Sequence, residues 1–239
     1  MLEPLNLEKR GGVVIPLLGV IFDFDGVIAD TEPLHLKAYQ DVLADGPLVL
    51  DADAYYSRYL GFDDIGVFTK LAADQVVPLK PADLSRLIEV KSRRFMELVT
   101  TEKVLVPGAR DCIERLAADL ALGIASGSLR HEIEEILRHT DLRRHFMTIV
   151  AADDVKRAKP APDCYTRAVE LLGIGLGQPS VPGSFVAIED SSWGIEAANA
   201  AGIPCLAVAH TYPAEALAEA ARVVSGLWEV DCSLLKELC

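Results

Sequence analysis

The sequence is poor in basic residues relative to acidic ones. It has 23 Lys and Arg against 36 Asp and Glu in 239 residues, which gives a formal net charge of −13. A surface of that sign repels nucleic acid and anionic lipid, so we expect neither nucleic acid nor a membrane as a partner. It also repels a phosphorylated substrate, and binding one would require local cations that override the overall field.

Cysteine pairs and long apolar stretches are also missing. The five cysteines are scattered with no pair at a metal or redox spacing, so we expect small buried side chains in a reducing cytoplasm. The only signal-like stretch, Val13 to Phe22, is too short to span a membrane, contains Pro16 and runs directly into Asp23. A first core strand explains it better, and we expect a cytoplasmic protein. The role of residues 1–12 and the oligomeric state stay open, a monomer being allowed.

Short apolar runs alternate with stretches of helical pattern. The runs lack polar alternation, as is typical of strands covered on both faces: Leu18–Phe24, Ala121–Ala125, Met147–Ala151, Ser184–Ile188, Pro204–Val208 and a weaker Ala221–Val224. The helix candidates between them are Ala109–Asp119, His131–His139, Asp163–Leu172 and Ser191–Ala200, while Gly173–Gly183 is typical of a surface loop. This order predicts an α/β fold with a Rossmann-like parallel sheet, whose ligands collect at the carboxyl ends of the strands.

One region breaks this alternation. From about Glu32 to Lys103 the pattern is only helical, over Leu34–Leu43, Ala52–Tyr59, Ile65–Ala73 and Ala82–Val99. An insertion of that length has the size of a separate small domain. We therefore predict a core domain formed by residues 1–31 and 104–239, and an inserted all-helical cap over residues 32–103.

The strongest local signal follows the first apolar run. Asp23 ends the run, and Asp25 stands two residues later where the chain turns at Gly26. Two carboxylates this close repel, so one should bind a cation or hold a proton. Mg²⁺ prefers carboxylate and carbonyl oxygens and neutralises phosphate charge, which suits phosphoryl transfer. The alternative is an Asp-rich turn that only ends a strand.

The run Phe22–Val27, followed by Asp30–His35, resembles the haloacid dehalogenase (HAD) superfamily. Within that superfamily the chain is most similar to the β-phosphoglucomutase-like and CbbY-like sugar phosphatases, which carry a helical cap. The similarity extends from Gly19 to about Ala209. Three further elements of the family follow in order on later strands.

Each of these elements also has a plainer interpretation. Ser126-Gly127 follows an apolar run, where a hydroxyl and backbone N–H groups can hold an anion or simply cap a helix. Lys159 precedes Pro160, which stiffens the segment, although a lysine in a turn is usually solvated. Glu189-Asp190 ends another run and could cap the helix that follows.

The resemblance implies roles for these residues. Asp23 is expected to form a covalent aspartyl-phosphate, and Asp25 to act as general acid and base. Ser126, with Gly127 beside it, is expected to bind the transferring phosphoryl group, and Lys159 to offset its negative charge.

The resemblance also implies Mg²⁺ as the cofactor. The expected ligands are Asp23, Asp190 and the backbone carbonyl of Asp25, with Glu189 supporting or joining the coordination.

The cap decides the substrate. His35 matches a family position near the active-site entrance, and Lys91 and Arg130 could hold a sugar or a second anion, although all three could be ordinary surface or packing residues. In β-phosphoglucomutases the loop corresponding to Leu60–Asp64 contains an arginine that holds a second phosphate. Here that loop has no arginine and two acids.

We therefore expect a Mg²⁺-dependent phosphatase that hydrolyses a small phosphorylated metabolite, a sugar phosphate by resemblance. A β-phosphoglucomutase-type phosphomutase is the alternative. A metal-free dehalogenase is disfavoured by the complete acidic pair Glu189-Asp190. A catalytically dead binding module would have lost at least one of Asp23, Asp25, Lys159 or Asp190.

Overall fold

The computed structural model describes residues 16–60, 62–101, 103–179 and 181–239. Residues 1–12, the start of the predicted first strand at residues 13–15, and Gly61 of the cap loop lie outside the described residues.

A six-stranded parallel sheet forms the core, as predicted, with strand order β3-β2-β1-β4-β5-β6. The strands are β1 (Gly19–Phe22), β2 (Ala121–Ala125), β3 (Phe146–Val150), β4 (Phe185–Glu189), β5 (Cys205–Val208) and β6 (Arg222–Val224). Alternate residues of β1 enter different apolar clusters: Val20 joins the cluster on one face of the sheet and Ile21 the cluster on the other. Burial on both faces explains why these runs lack polar alternation.

The first strand ends two residues earlier than predicted. Ile28 and Ala29 both donate backbone hydrogen bonds to the carbonyl of Phe24, which bends the chain immediately after β1. Asp23 and Asp25 therefore lie in a turn at the strand end.

Nine α-helices accompany the sheet in the described part of the chain. They are α1 (Glu32–Leu43), α2 (Ala52–Ala54), α3 (Asp64–Asp74), α4 (Pro81–Thr101), α5 (Ala109–Leu116), α6 (Arg130–His139), α7 (Asp163–Leu176), α8 (Ser192–Ala200) and α9 (Cys232–Lys236). The helix predicted over Ala52–Tyr59 is α-helical only to Ala54 and continues as one π-helical turn, Tyr55–Tyr59. The Leu60 N–H closes that wider turn on the Tyr55 carbonyl, and Tyr55 and Tyr59 are both buried.

The loop predicted over Gly173–Gly183 is wrong in its first part, because α7 continues to Leu176. Gly175 lets α7 approach β3 closely, since a Cβ there would lie 2.5 Å from the Met147 Sδ. The helix ends at Gly177, whose φ of 62° is the left-handed conformation that favours glycine.

Helices α1 to α4 occupy the interval between β1 and β2, where the structure shows no strand in the residues it describes. They share their own apolar cluster, while Phe95 and Val99 of α4 join the cluster on the sheet. The two connecting segments lie side by side: Asp30 donates to the Val104 carbonyl and Val106 donates to the Ile28 carbonyl. The domain boundaries stay a prediction.

All five cysteines are free, but the expectation of burial holds for only three. Cys232 is half-buried and Cys239 exposed, because both lie in the short C-terminal segment that follows the sheet. Every helix in the described residues is too short or too polar to cross a lipid bilayer.

Candidate active site

Four of the predicted site residues lie at strand ends on one edge of the sheet. β1 pairs with β2 on one side and β4 on the other, so Asp23, Ser126 and the Glu189-Asp190 pair emerge at neighbouring positions. The Asp23 N–H donates to the Ile188 carbonyl at 2.8 Å, which continues the β1–β4 register past the end of β1. Parallel strands place their carboxyl ends together, and that topology gathers these residues.

Asp23, Glu189 and Asp190 form a buried acidic cluster. Each offers one carboxylate oxygen, and these oxygens lie within 4.8 Å of one another. The residues are 7%, 0% and 5% exposed, respectively. Carboxylates this close and this buried need a compensating positive charge.

Lys159 supplies one such charge. Its Nζ lies 2.6 Å from the Asp23 Oδ1 and 2.6 Å from the Glu189 Oε1. Burial lowers the pKa of Lys159, but the Asp23 and Glu189 carboxylates outweigh burial and raise the pKa above its ordinary value. The amine is therefore a fixed cation, seated 5.0 Å from the centroid of the Tyr165 ring.

Glu189 accepts hydrogen bonds on both oxygens. Its Oε1 accepts from Lys159 and, at 2.9 Å, from the Tyr165 hydroxyl. Its Oε2 accepts from the Asp190 N–H and from the N–H and hydroxyl of Ser191, at 3.1 to 3.3 Å. This carboxylate is held by donors from three directions.

Two glycines make room for the acidic cluster. At Gly194 a Cβ would lie 1.8 Å from the Glu189 Oε1, and at Gly26 a Cβ would lie 1.9 Å from the Asp190 Oδ2. Gly26 also has a φ of 77°, which glycine adopts without strain. Both carboxylates occupy space that any other residue would fill.

Asp190 is the acid whose protonation is most finely balanced. Burial raises its pKa to about 7, a hydrogen bond from the Thr211 side chain opposes that rise, and the Glu189 charge adds to it. Burial also raises the pKa of Asp23, with Lys159 opposing and Glu189 adding. Both acids gain from a nearby cation.

Asp25 lies apart from the acidic cluster and is held by two hydroxyls. Thr31 donates to its Oδ1 and Ser128 to its Oδ2. Burial raises the pKa of Asp25, and the two hydroxyl hydrogen bonds oppose the rise. A carboxyl group so placed can hold a proton and pass it on.

The turn after β2 leaves space beside its hydroxyl. Ser126 is 2% exposed and its Oγ accepts the Ser128 N–H at 2.9 Å, so its own proton is available to donate. A Cβ at Gly127 would meet nothing within 4 Å. An anion can therefore approach this turn.

The donor set suits a hard divalent cation. Three buried carboxylates converge within 4.8 Å, and all the potential ligand atoms are oxygens, the ligands that Mg²⁺ prefers. Burial raises the pKa of Asp190, and a bound cation would stabilise its ionised form. The residues present fit Mg²⁺.

A second polar group lies in the helical region; we call it the cap cluster: His35, Tyr39, Asp64 and Lys91. The Lys91 Nζ lies 2.7 Å from the Asp64 Oδ1 and 2.7 Å from the His35 Nδ1. The Tyr39 hydroxyl donates to the same Asp64 oxygen at 2.5 Å. Lys91 is thus already paired inside the protein.

His35 is a neutral member of the cap cluster. Burial lowers its pKa well below the usual range, and the Lys91 cation lowers it further. Because Nδ1 accepts from Lys91, the ring proton is on Nε2. The ring stacks on Phe95 with centroids 4.0 Å apart, which fixes its plane.

Arg130 is engaged elsewhere. Its guanidinium lies 2.8 Å from the Ile149 carbonyl and pairs with Asp154 and, at 3.8 Å, with Glu134. The structure does not bring it together with the cap cluster, so its role in substrate binding stays a prediction.

Sequence reasoning missed several contacts. Tyr165, Thr211 and Gly194 touch Glu189 or Asp190, and Asp64 pairs with Lys91 across 27 residues of sequence. Ser128 carried the only local signal, because it stands two residues beyond Ser126 in the same turn.

Comparisons with known proteins identify the family of the chain. A family model described as haloacid dehalogenase-like hydrolase matches residues 20–208. The chain is similar to a phosphorylated carbohydrates phosphatase of Thermotoga maritima, with 33% identity over 223 residues, or 92% of this chain and 98% of the relative. It is also 33% identical over 192 residues to the fructose-1-phosphate phosphatase YqaB of Escherichia coli, which is 80% of this chain and 95% of the relative.

Among solved structures, a variant of CbbY from Rhodobacter sphaeroides in complex with xylulose-(1,5)bisphosphate has a similar fold. The TM-score is 0.77 at 27% identity, and the match covers 92% of this chain and 99% of that one.

Proposed function

The chain belongs to the haloacid dehalogenase-like hydrolase family, and from that premise we propose that it is a Mg²⁺-dependent phosphatase with Asp23 as its nucleophile. One observation carries the proposal: a lysine with only 13% of its side chain exposed pairs with Asp23 at 2.6 Å, beside two further carboxylates that can hold a divalent cation. Lys159 opposes the effect of burial on the pKa of Asp23, so it favours the ionised nucleophile, and it places positive charge where a phosphoryl group would arrive.

Asp23 attacks phosphorus in line, the bond between phosphorus and the leaving oxygen breaks, and that oxygen takes a proton from Asp25 and departs as an alcohol. Water then hydrolyses the aspartyl-phosphate. Lys159 and the Ser126 hydroxyl face the phosphoryl oxygens and stabilise their charge. Mg²⁺, held by Asp23, Asp190 and the backbone carbonyl of Asp25, would supply further neutralisation of that charge. Glu189 already accepts five hydrogen bonds, which favours a role in holding Lys159 over direct coordination.

Asp25 moves the proton. Thr31 and Ser128 fix both of its oxygens, and its raised pKa lets it donate to the leaving oxygen and then accept from the attacking water. Two carboxylates are needed because the nucleophile must be ionised while the acid is protonated.

The proposed substrates are sugar phosphates and related small metabolites. Two relatives that align over 80% or more of this chain are named as a carbohydrate phosphatase and a fructose-1-phosphate phosphatase. We propose that the helical region over residues 32–103 acts as a cap that covers the leaving group. The phosphomutase alternative is disfavoured because Asp64 neutralises Lys91, a cation that could have held the second phosphate of a bisphosphate.

The test is turnover of p-nitrophenyl phosphate with Mg²⁺, with and without EDTA. We expect chelation to abolish turnover and Mg²⁺ to restore it, with the Asp23→Asn protein inactive under both conditions. Turnover that survives chelation would refute the metal dependence, and an active Asp23→Asn protein would refute the nucleophile. Formation of glucose 6-phosphate from β-glucose 1-phosphate in the presence of bisphosphate would identify a mutase instead.

A further inference from the structure

Lys91 is a buried cation whose charge is already matched. It is 1% exposed, and its Nζ touches the Asp64 carboxylate, the His35 Nδ1 and the face of the Tyr39 ring, 4.6 Å from the ring centroid. Two of these partners accept its N–H groups and the third stabilises its charge. Little of the ammonium is left to attract a second anion.

Further carboxylates face this region. Glu132 stands in the first turn of α6, on the core, and helix α4, which carries Lys91, packs against α6. Burial raises the pKa of Glu132 to about 7; Lys91 opposes the rise, and Asp25 and Asp64 add to it. Glu132 therefore stands in the first turn of the helix that packs against the one carrying Lys91.

Glu32, at the start of α1, is a second acid near both Asp25 and Lys91. It accepts the Tyr55 hydroxyl at 2.5 Å, and both Asp25 and Lys91 act on its carboxyl group. The Lys91 charge is thus opposed by three acids: Asp64 touches it, while Glu132 and Glu32 act on it at longer range. A negatively charged group entering there would be repelled.

The same groups match hydroxyls well. The protonated His35 Nε2 is a donor, and it has no hydrogen-bond partner within the four described segments of the chain. The Glu132 carboxylate is contacted by the backbone of Leu129 and can accept further hydrogen bonds. A sugar or polyol offers hydroxyls that both donate and accept, so it can satisfy a neutral donor and a carboxylate acceptor together.

We propose that the cap cluster and Glu132 select an uncharged, hydroxyl-rich leaving group and reject substrates that carry a second phosphate at that end. This inference rests on the proposed function and narrows it to monophosphates of polyols and sugars. It separates this chain from its structural neighbour CbbY, whose structure holds a bisphosphate. Asp64 is the main specificity residue, because it removes the charge that Lys91 would otherwise present.

The experiment compares matched ligands as inhibitors of p-nitrophenyl phosphate hydrolysis. The pairs are fructose 1-phosphate with fructose 1,6-bisphosphate, and glucose 1-phosphate with glucose 1,6-bisphosphate. We expect each bisphosphate to compete at least about tenfold more weakly than its monophosphate in the unchanged protein. In the Asp64→Asn protein Lys91 is free to pair with the second phosphate. The ratio of the inhibition constant of each bisphosphate to that of its monophosphate should therefore fall by about tenfold.

Asp63→Asn is the matched control. Asp63 precedes Asp64 and caps α3 by accepting the Gly66 N–H, a contact that asparagine preserves, and it does not touch Lys91. Asp63→Asn removes the same formal charge as Asp64→Asn without freeing Lys91, so the ratio of the bisphosphate and monophosphate inhibition constants should not change. Glu132→Gln leaves the buried Lys91–Asp64 pair intact, so it remains a test even if the Asp64→Asn protein unfolds. It should lower the ratio of the two inhibition constants about threefold.

The two proposals fail in different ways. A protein with no Mg²⁺-dependent turnover of p-nitrophenyl phosphate fails the proposed function itself. Normal turnover with bisphosphates that compete as well as their monophosphates overturns only the leaving-group inference. Equal ratios in folded Asp64→Asn and Asp63→Asn proteins would overturn it too, as would an unchanged ratio in Glu132→Gln.

Discussion

The amine of Lys159 lies 2.6 Å from the carboxylate of Asp23, and the two side chains are only 13% and 10% exposed. The lysine reaches this position from the segment before α7, 136 residues away in sequence, and the Glu189 carboxylate holds it from the other side. The pair sets the charge of the site: one fixed cation stands between two acids. It links the chemistry to stability, because neither partner can be removed without exposing the other as an unmatched buried charge.

Replacing Lys159 with methionine should therefore lower both the turnover and the stability of the protein. We expect loss of turnover by several orders of magnitude and a fall in the free energy of unfolding of about 3 kcal/mol, since Asp23 and Glu189 would face each other without a cation. Urea unfolding measures the second effect. The double variant Lys159→Met with Asp23→Asn should recover part of the stability but none of the activity, and unchanged stability in the single variant would refute the charge argument.

Replacing Asp25 with asparagine should separate chemistry from folding. Asparagine keeps the shape of Asp25: its amide oxygen still accepts from one of the Thr31 and Ser128 hydroxyls, and the other hydroxyl can rotate to accept from the amide nitrogen, so the thermal midpoint should change little. Turnover should fall by about 10²-fold to 10⁴-fold, because asparagine cannot transfer a proton. The loss should be greatest for leaving groups of high pKa, such as sugars, and smaller for p-nitrophenolate. Equal losses on both would count against a proton-donor role.

Much of the fold could be predicted because buried strands are recognisable as apolar runs. All six runs became strands of one parallel sheet, and that topology gathered Asp23, Ser126 and Asp190 at one edge. The errors arose where packing overrode local composition. The glycines at the end of α7 are typical of a loop, yet Gly175 is inside the helix, where it packs close to the Met147 side chain of β3.

The contacts of the cap cluster could not be predicted from local pattern. Asp64 and Lys91 lie on different helices, and their pairing depends on how α3 packs against α4. The sequence showed two acids and a group of bases in the helical region but not which of them meet. Likewise, Tyr165 lies in the middle of an ordinary amphipathic pattern, and only the structure shows its hydroxyl on Glu189.

Replacing Gly194 with alanine tests whether Glu189 needs the space beside it. A glycine-to-alanine change inside a helix ordinarily stabilises it by about 1 kcal/mol. At Gly194 the new Cβ would lie 1.8 Å from the Glu189 Oε1, so we expect the opposite sign, a loss of about 1–3 kcal/mol, together with reduced turnover. Gly46→Ala is the control, because its Cβ would meet only an ordinary contact at 3.5 Å. A stabilised Gly194→Ala protein would show that Glu189 relocates freely.

The acidic cluster should couple Mg²⁺ binding to pH. Burial raises the pKa of Asp190 from 3.8 to about 7 and also raises that of Asp23. A carboxyl group with a raised folded-state pKa contributes stability that is fully present below its unfolded pKa and is lost as pH rises through the folded value. The protein should therefore lose stability from these groups between about pH 4 and pH 7, and a cation should restore it because Mg²⁺ binds only the ionised carboxylates.

Mg²⁺ should accordingly raise the thermal midpoint more at about pH 8 than at about pH 5, where protons occupy the same carboxylates. At each pH the midpoint with EDTA is subtracted from the midpoint with Mg²⁺. This subtraction removes the general effect of acid on the stability of the fold. The Asp190→Asn protein should show a small rise at both pH values, because the titrating ligand is gone. Asp63→Asn, an exposed acid outside the cluster, should keep the full pH-dependent rise. A Mg²⁺ effect of equal size at the two pH values in the unchanged protein would mean that these carboxylates do not bind the ion.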